Sequence, residues 1–411
     1  MLATLLALAI AGMGAAAPKS SDLITPPPVD VPTVEVAICL DTSGSMDALI
    51  DSARQKIWTI VNDLSTAEPA PTLRFAVISF GNLGHSAENG WVSIECPLTE
   101  DLDRVSESLF SLKTNGGDEY VARAVRRALR DLEWSDTPQA LRMVIVAGNE
   151  SANQDPNFKT ADVCALAAER GVVVNPLYCT YATDAADVSA GWREVATLTE
   201  GHYAAIDPKN GTIVIASPFD DKLVTLSSEL NGTYVPYGEA GKAAAENQVA
   251  QDANALGMNG AAAAGRCVAK AGSFYNCGSW DLVDAIKNGT KELDDVDPKQ
   301  LPKAMQELTS EELAAQIDAL ALARKSIQEK ILGLEKQRQE FLAREMLARA
   351  NAGERSFDIE IRKAMRDQAK RAGLRFPTPL PAAPKPTEPI GPMPGPEAPA
   401  PKPQLPKDDG C

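Results

Sequence analysis

The chain of 411 residues is short of aromatic side chains and shorter still of imidazoles. Phe, Trp and Tyr together make up 5% of it, so any core must be assembled from Ala, Val, Leu and Ile. His85 and His202 are the only histidines. A Ser-His-Asp triad needs an imidazole beside its nucleophile. His85 falls in a Gly- and Asn-rich loop and His202 at the start of a strand, so both read as solvated or structural. There is no Cys-x-x-Cys pair and no Cys/His cluster, which excludes structural zinc. No Gly-rich loop of the phosphate-cradling kind occurs. Trp192, Trp280 and Tyr237 read as core residues. The adjacent acids Asp220-Asp221 and Asp294-Asp295 read as solvated turns rather than as an acid–base pair. Basic residues are also scarce, 40 against 56 acidic ones, for a net charge of -16. Such a surface repels phosphate backbones, so nucleic acid is not an expected partner. These shortages argue against an enzyme.

The N-terminus holds the one long apolar run, Met1-Leu2-Ala3-Thr4-Leu5-Leu6-Ala7-Leu8-Ala9-Ile10, followed by an Ala-x-Ala pattern. It reads as a signal peptide over residues 1–17, although no Lys or Arg precedes it. The expectation is a periplasmic or secreted protein with no membrane span. Export permits disulfides. Cys164 on a helix could meet Cys179 on the next strand, and Cys267 could close a short loop with Cys277; the alternative is buried thiols acting as small hydrophobes.

Residues 18–32, with Pro26-Pro27-Pro28, form a linker. From Thr33 to about 208, apolar strand-length runs alternate with amphipathic helical patterns. Strands are expected at Val34–Leu40, Leu73–Phe80, Trp91–Glu95, Leu141–Ala147, Val172–Leu177 and His202–Ile206. This alternation predicts an α/β domain with a parallel-dominated, doubly wound sheet. Residues 209–308 form a mixed extension with a short strand at Ile213-Val214-Ile215 and broken helices. With few large apolar residues, the extension is expected to pack on the domain rather than build its own core. Thr309-Ser310-Glu311-Glu312 is a capping box. The long helix it opens carries Leu313, Ile317, Leu320, Ile327, Ile331, Leu334 and Phe341 at three-four spacing, interrupted by Arg324 and Arg338. With a second helix at Ser356–Arg371, residues 309–373 predict a helical hairpin or coiled-coil arm. The Pro-rich stretch 374–411 cannot build a core.

Directly after the first strand comes Asp41-Thr42-Ser43-Gly44-Ser45. Three oxygen-bearing side chains on alternate residues of a tight loop can face one point. Their hard oxygens suit Mg²⁺ or Mn²⁺. Open parallel sheets place ligands at this carboxyl end of their strands.

The Asp-x-Ser-x-Ser loop, its strand and the alternation behind it resemble a von Willebrand factor type A domain. Gly116-Gly117-Asp118-Glu119, Val174-Asn175-Pro176-Leu177-Tyr178-Cys179, Gly191-Trp192 and Ser217-Pro218-Phe219-Asp220-Asp221 resemble segments of an exported bacterial subgroup of poorly defined function. The resemblance implies a metal-ion-dependent adhesion site with two further ligands from other loops. The first, usually Thr, falls on Asp118. The second, usually Asp, falls on Asn149, with Glu150 as the fallback ligand. The implied set is Asp41, Ser43, Ser45, Asp118 and Asn149 around a divalent cation that captures an acidic side chain of a protein partner. The competing expectation is an envelope protein that self-associates through residues 309–349 around a vestigial metal site.

Overall fold

The computed structural model describes residues 31–180, 186–206, 214–350 and 357–377. The expected signal peptide, the linker up to residue 30, most of the Pro-rich tail, Ile213, Ser356 and Cys411 lie outside them.

The first region alternates strand and helix. Its elements are β1 (Thr33–Asp41), α1 (Asp47–Leu64), β2 (Thr72–Phe80), β3 (Ser93–Thr99), α2 (Leu102–Ser111), α3 (Val121–Asp131), β4 (Leu141–Gly148), α4 (Thr160–Glu169), β5 (Val172–Cys179), α5 (Ala186–Leu198) and β6 (Ala204–Ile206). The six strands are ordered β3-β2-β1-β4-β5-β6. Only β3 is antiparallel to its neighbour. This is the parallel-dominated, doubly wound α/β sheet expected from the sequence.

Strand β1 is an unbroken apolar run because both of its faces are covered. Val34, Val36, Ile38 and Leu40 face one core with Leu49, Ile57, Trp58 and Val61 of α1. Ala37 and Cys39 face the other, with Val121 and Val125 of α3 and Trp192 of α5. Glu35 is fully buried among these residues, and Arg74 (2.5 Å) and the Ser135 backbone N–H (3.0 Å from Oε2) satisfy it. The third strand starts later and runs further than the alternation suggested, because β3 follows the edge of β2 through register shifts.

The second region, 214–350, is helical: α6 (Asp220–Asn231), α7 (Gly241–Met258), α8 (Gly260–Ala271), α9 (Leu282–Lys287) and α10 (Ser310–Ala350). Val214 and Ile215 are not in a strand. Helices α7 and α8 dock on α1 and α2, as a packed extension should. Asn62 Nδ2 donates to the Gly265 carbonyl at 2.8 Å, and Ser106 donates to Gln251 at 2.9 Å. The extension nevertheless builds cores of its own, contrary to the expectation. Val235, Leu282, Val283, Val296, Leu301 and Met305 enclose one with Leu313 and Ile317 of α10. Leu223, Leu230, Ala264, Cys267 and Val268 enclose a second with Ile331.

The two last helices do not make a free hairpin or arm. The stripe of α10 is used internally in the two cores just described. Helix α11 (Phe357–Arg371) instead packs on the face that α1 covers, with Ile361, Met365 and Ala369 in the same core. Arg366 Nε and Arg362 Nη2 donate to the Asp63 carboxylate at 2.8 and 2.5 Å. Asn175 of β5 exchanges hydrogen bonds with Gln368 at 3.0 and 2.6 Å. The layer over the sheet is thus completed by a segment that follows the whole helical extension.

The six described cysteines are free and buried, so the Cys164–Cys179 and Cys267–Cys277 pairings are not formed. Burial pushes the Cys39 and Cys179 thiols well above their ordinary range. These are side chains that pack rather than react. No helix among the described residues is long and apolar enough to cross a membrane.

Candidate functional site

The strand order reverses at β1: the chain passes to β2 on one side, then to β4 on the other. The connections that leave the carboxyl ends of β1 and β4 therefore run to opposite faces of the sheet, α1 to one and α4 to the other, and ligands of open α/β sheets bind in the crevice between them. Asp41 ends β1, and Asn149 directly follows Gly148, the last residue of β4.

The loop after β1 is folded by Asp41 itself, whose Oδ1 accepts the Ser43 backbone N–H at 2.8 Å. That turn brings Ser43 Oγ and Ser45 Oγ within 3.5 Å of each other. Asn149 Nδ2 donates to Ser45 Oγ at 3.2 Å. Thr42, between the motif residues, points back and hydrogen-bonds the Phe80 carbonyl at 3.0 Å, which anchors the loop on β2. Asp41, Ser43, Ser45 and Asn149 thus meet as the sequence predicts.

The fifth predicted residue does not. Asp118 Oδ2 accepts from Trp91 Nε1 at 3.2 Å and from the Tyr120 hydroxyl at 3.0 Å, on an exposed rim. Its neighbour Glu119 turns inward and hydrogen-bonds Asp41. The backbone is shaped for this approach. At Gly81 (φ +73°), a Cβ would lie 2.8 Å from Glu119 Cγ and 3.0 Å from Asp41 Oδ1. At Gly148, a Cβ would lie 3.2 Å from Asp41 Oδ2. Gly117 presses equally close on the Gly81 backbone, with a Cβ position 3.0 Å from its carbonyl. The carboxylate at the third loop is therefore Glu119, one residue beyond the expected position. Glu150 also stays outside; its carbonyl accepts from Trp192 Nε1 at 2.7 Å.

Electrostatically the pocket is unbalanced. Burial pushes the Asp41 carboxyl above its ordinary range, against hydrogen bonds from Glu119 and Ser43. Burial first, then the Asp41 charge, push Glu119 up to about 9. No arginine or lysine is paired with either carboxylate among the described residues. Apart from the proton that the Asp41 and Glu119 carboxyls share, no donor reaches three buried oxygens here: Asp41 Oδ2, Glu119 Oε2 and Asn149 Oδ1. Buried polar atoms are almost always satisfied, and one left orphaned costs about 1–3 kcal/mol. Three such acceptors from three loops at one crevice fit a divalent cation. Among the described residues no group of three or more His, Cys, Asp and Glu side chains is gathered to hold a metal. The donors here are two carboxylates, two hydroxyls and an amide, all hard oxygens of the kind that suits Mg²⁺ or Mn²⁺.

His85 does not join this site. Its Nε2 lies 2.7 Å from Ser79 Oγ, which donates to Glu95 at 2.6 Å. Ser79 is fully buried, so the trio fastens the loop after β2 rather than presenting a nucleophile. Trp192 is core, 5.7 Å from the Tyr178 ring.

No curated protein matches the chain. Solved structures with a similar fold include a von Willebrand factor type A protein from Catenulispora acidiphila (19% identity, 44% of this chain and 40% of that one, TM-score 0.32). Another is proximal thread matrix protein 1 from the mussel byssus with a zinc-occupied MIDAS motif (13%, 44% and 43%, 0.32). A third is the pilus adhesin SpaC from Lactobacillus rhamnosus GG (15%, 44% and 28%, 0.33). The chain spans less than half the length of these proteins. The family model of the von Willebrand factor type A domain matches residues 36–150, which begin in β1 and end beside Asn149, so this chain carries a von Willebrand factor type A domain.

Proposed function

We propose that this protein is an exported, divalent-cation-dependent protein-binding module and not an enzyme. Asp41, Ser43, Ser45, Glu119 and Asn149 would hold Mg²⁺ or Mn²⁺. Asp41 and Glu119 supply two negative charges against a divalent ion, and the serine hydroxyls and the Asn149 amide complete a neutral remainder. The bound ion supplies a Lewis-acidic position for a carboxylate of the partner. The surrounding chain fixes the donors in advance: Ser43 N–H orients Asp41, Asn149 orients Ser45, and Gly81 admits Glu119. The single observation that carries the reading is a crevice where two buried carboxyls and the Asn149 amide oxygen converge with no cationic, amide or backbone donor to Asp41 Oδ2, Glu119 Oε2 or Asn149 Oδ1. Export to the periplasm or beyond rests on the N-terminal sequence.

The alternative, self-association through residues 309–349, keeps only part of its apolar surface, with Leu322 and Leu332 exposed. Leu313, Ile317 and Ile331 are covered by the chain's own helices.

Calorimetric titration of Mn²⁺ into the full chain tests the metal, with Asp41→Ala as the comparison. Saturable heat in the parent and none in the variant is expected; equal heats would remove the site. Pull-down from envelope extracts with and without chelator then tests partner capture, which should require the ion.

A further inference from the structure

Between α6, α7 and α8 lies a lysine with unusual neighbours. The Lys270 side chain has no solvent exposure, and its Nζ is 2.7 Å from Asp252 Oδ2. Nζ is also in close contact with Asn231 Oδ1. Asn231 Nδ2 in turn donates to the same Asp252 Oδ2 at 2.7 Å. One carboxylate oxygen therefore touches an amine and a carboxamide nitrogen, while the amine touches the carboxamide oxygen. Arg266 holds the other carboxylate oxygen at 2.5 Å and is itself fixed by Asp103 at 2.8 Å. Ser227 Oγ accepts from Nζ at 3.1 Å. A plain ion pair needs only the lysine and the aspartate. The carboxamide makes this set a nucleophile, an acyl group and a proton carrier.

We propose that Lys270 and Asn231 become joined by an intramolecular isopeptide bond, with Asp252 carrying the proton.

Asp252 takes a proton from the Lys270 ammonium. The freed amine adds to Asn231 Cγ as the side-chain torsion turns the carbonyl face towards it. The Nζ–Cγ bond forms and the Cγ–Nδ2 bond breaks. Asp252 returns its proton to the departing nitrogen, which also takes up the second proton lost from Nζ. An ammonium and a primary amide thus become a secondary amide and an ammonium ion. Atoms and charge balance with no oxidant, metal or other reactant.

Three features favour the step. Reacting groups held together in one site can gain effective molarities of about 10⁵–10⁸ M once aligned; Cγ is one carbonyl bond from the oxygen that Nζ already touches. Burial, with Arg266 nearby, holds the Lys270 amine below its ordinary range and so eases its deprotonation. Burial alone would raise Asp252, but Arg266 and Lys270 outweigh it and keep a carboxylate ready to accept. The product would tie the end of α6 to α8 across a sequence separation of 39 residues. A cross-link of this kind stabilises by restricting the unfolded chain, as a disulfide does, but no reductant opens it.

Peptide-mapping mass spectrometry of the full chain tests this directly. The expected result is a branched tryptic species that joins the Asn231 and Lys270 peptides, lighter by one ammonia than the two together. Lys270→Arg should give only linear peptides, and Asp252→Asn should lose most of the branched species. Linear Asn231 and Lys270 peptides alone in the parent protein would overturn the proposal. So would ammonia loss that persists in Lys270→Arg, because that marks cyclisation of Asn231 on its own backbone. Neither outcome depends on the metal site.

Discussion

At the carboxyl end of the sheet, Asp41 Oδ2, Glu119 Oε2 and Asn149 Oδ1 are buried with no cationic, amide or backbone donor, whereas in the helical extension Asp281 and Asp220 are as deeply buried and each carries an arginine. Arg324 shows how completely the second region is satisfied. Its guanidinium reaches Asp281 at 2.6 Å, Asp284 at 2.7 Å, the Thr233 hydroxyl at 3.1 Å and the Thr233 carbonyl at 2.6 Å. Its flat face also covers the Tyr234 ring at 4.1 Å. Arg338 repeats the device on Asp220 and the Ala261 carbonyl. Both regions bury carboxylates, and the difference lies in where the counter-charge comes from. In the extension it is built into the chain, so Arg324 and Arg338 hold helices together without a ligand. At the sheet it must come from outside, so the site can respond to a ligand.

The largest expected effect is in the satisfied region. Arg324→Met leaves Asp281 and Asp284 without a cation in a closed interior, and breaking a buried pair from one side costs about 3–5 kcal/mol. Chemical denaturation of the full chain should show that loss; parental stability would mean that the network is not what holds α9 to α10.

The same kind of change should carry no such cost at the sheet. Glu119→Gln replaces a carboxyl that burial and the Asp41 charge already hold protonated in the absence of metal, so the metal-free chain should keep its stability in thermal melts. Its Mn²⁺ affinity should fall about tenfold or more, near 1.4 kcal/mol per factor of ten. A variant destabilised without metal and unchanged in affinity would place Glu119 with the structural carboxylates.

A smaller effect is expected where the long helix begins. The Thr309 hydroxyl accepts the Glu312 N–H at 3.3 Å, while the Glu312 carboxylate accepts the Thr309 N–H at 2.9 Å. Thr309→Ala should cost about 1 kcal/mol, as N-cap removals do. The solvent-exposed cap is thus expected to matter less than the interior arginines of the same helix.

The smallest effect separates neighbours in sequence. Asp118→Asn should leave Mn²⁺ affinity within about twofold of the parent, because Asp118 is held by Trp91 and Tyr120 on the rim. A loss as large as that of Glu119→Gln would return the ligand role to Asp118.

How far the sequence could be read differs by element. The apolar runs of β1, β4 and β5 and the spacing of α1 were legible, because burial on both faces of a sheet leaves no polar alternation. The capping box at Thr309 was legible for the same local reason. Arg324 and Arg338 were read as interruptions of an apolar stripe; in the fold they are its anchors, and nothing in their spacing distinguishes the two roles. Asp220 was read as part of a solvated turn, yet it is buried, hydrogen-bonded to Ser217 and paired with Arg338. The position of α11 could not be foreseen either, since its partners Asp63 and Asn175 lie some three hundred and two hundred residues before it.

By itself the sequence determined the sheet and the Asp41-Thr42-Ser43-Gly44-Ser45 loop, because a strand's burial and a five-residue turn are set by neighbours along the chain. Only the tertiary structure decided that Glu119 rather than Asp118 faces Asp41, that Arg324 finds Asp281, and that Asp252 lies between Lys270 and Asn231. Those outcomes depend on distance and burial in space, which set the strength of every charge interaction and which chain spacing does not encode.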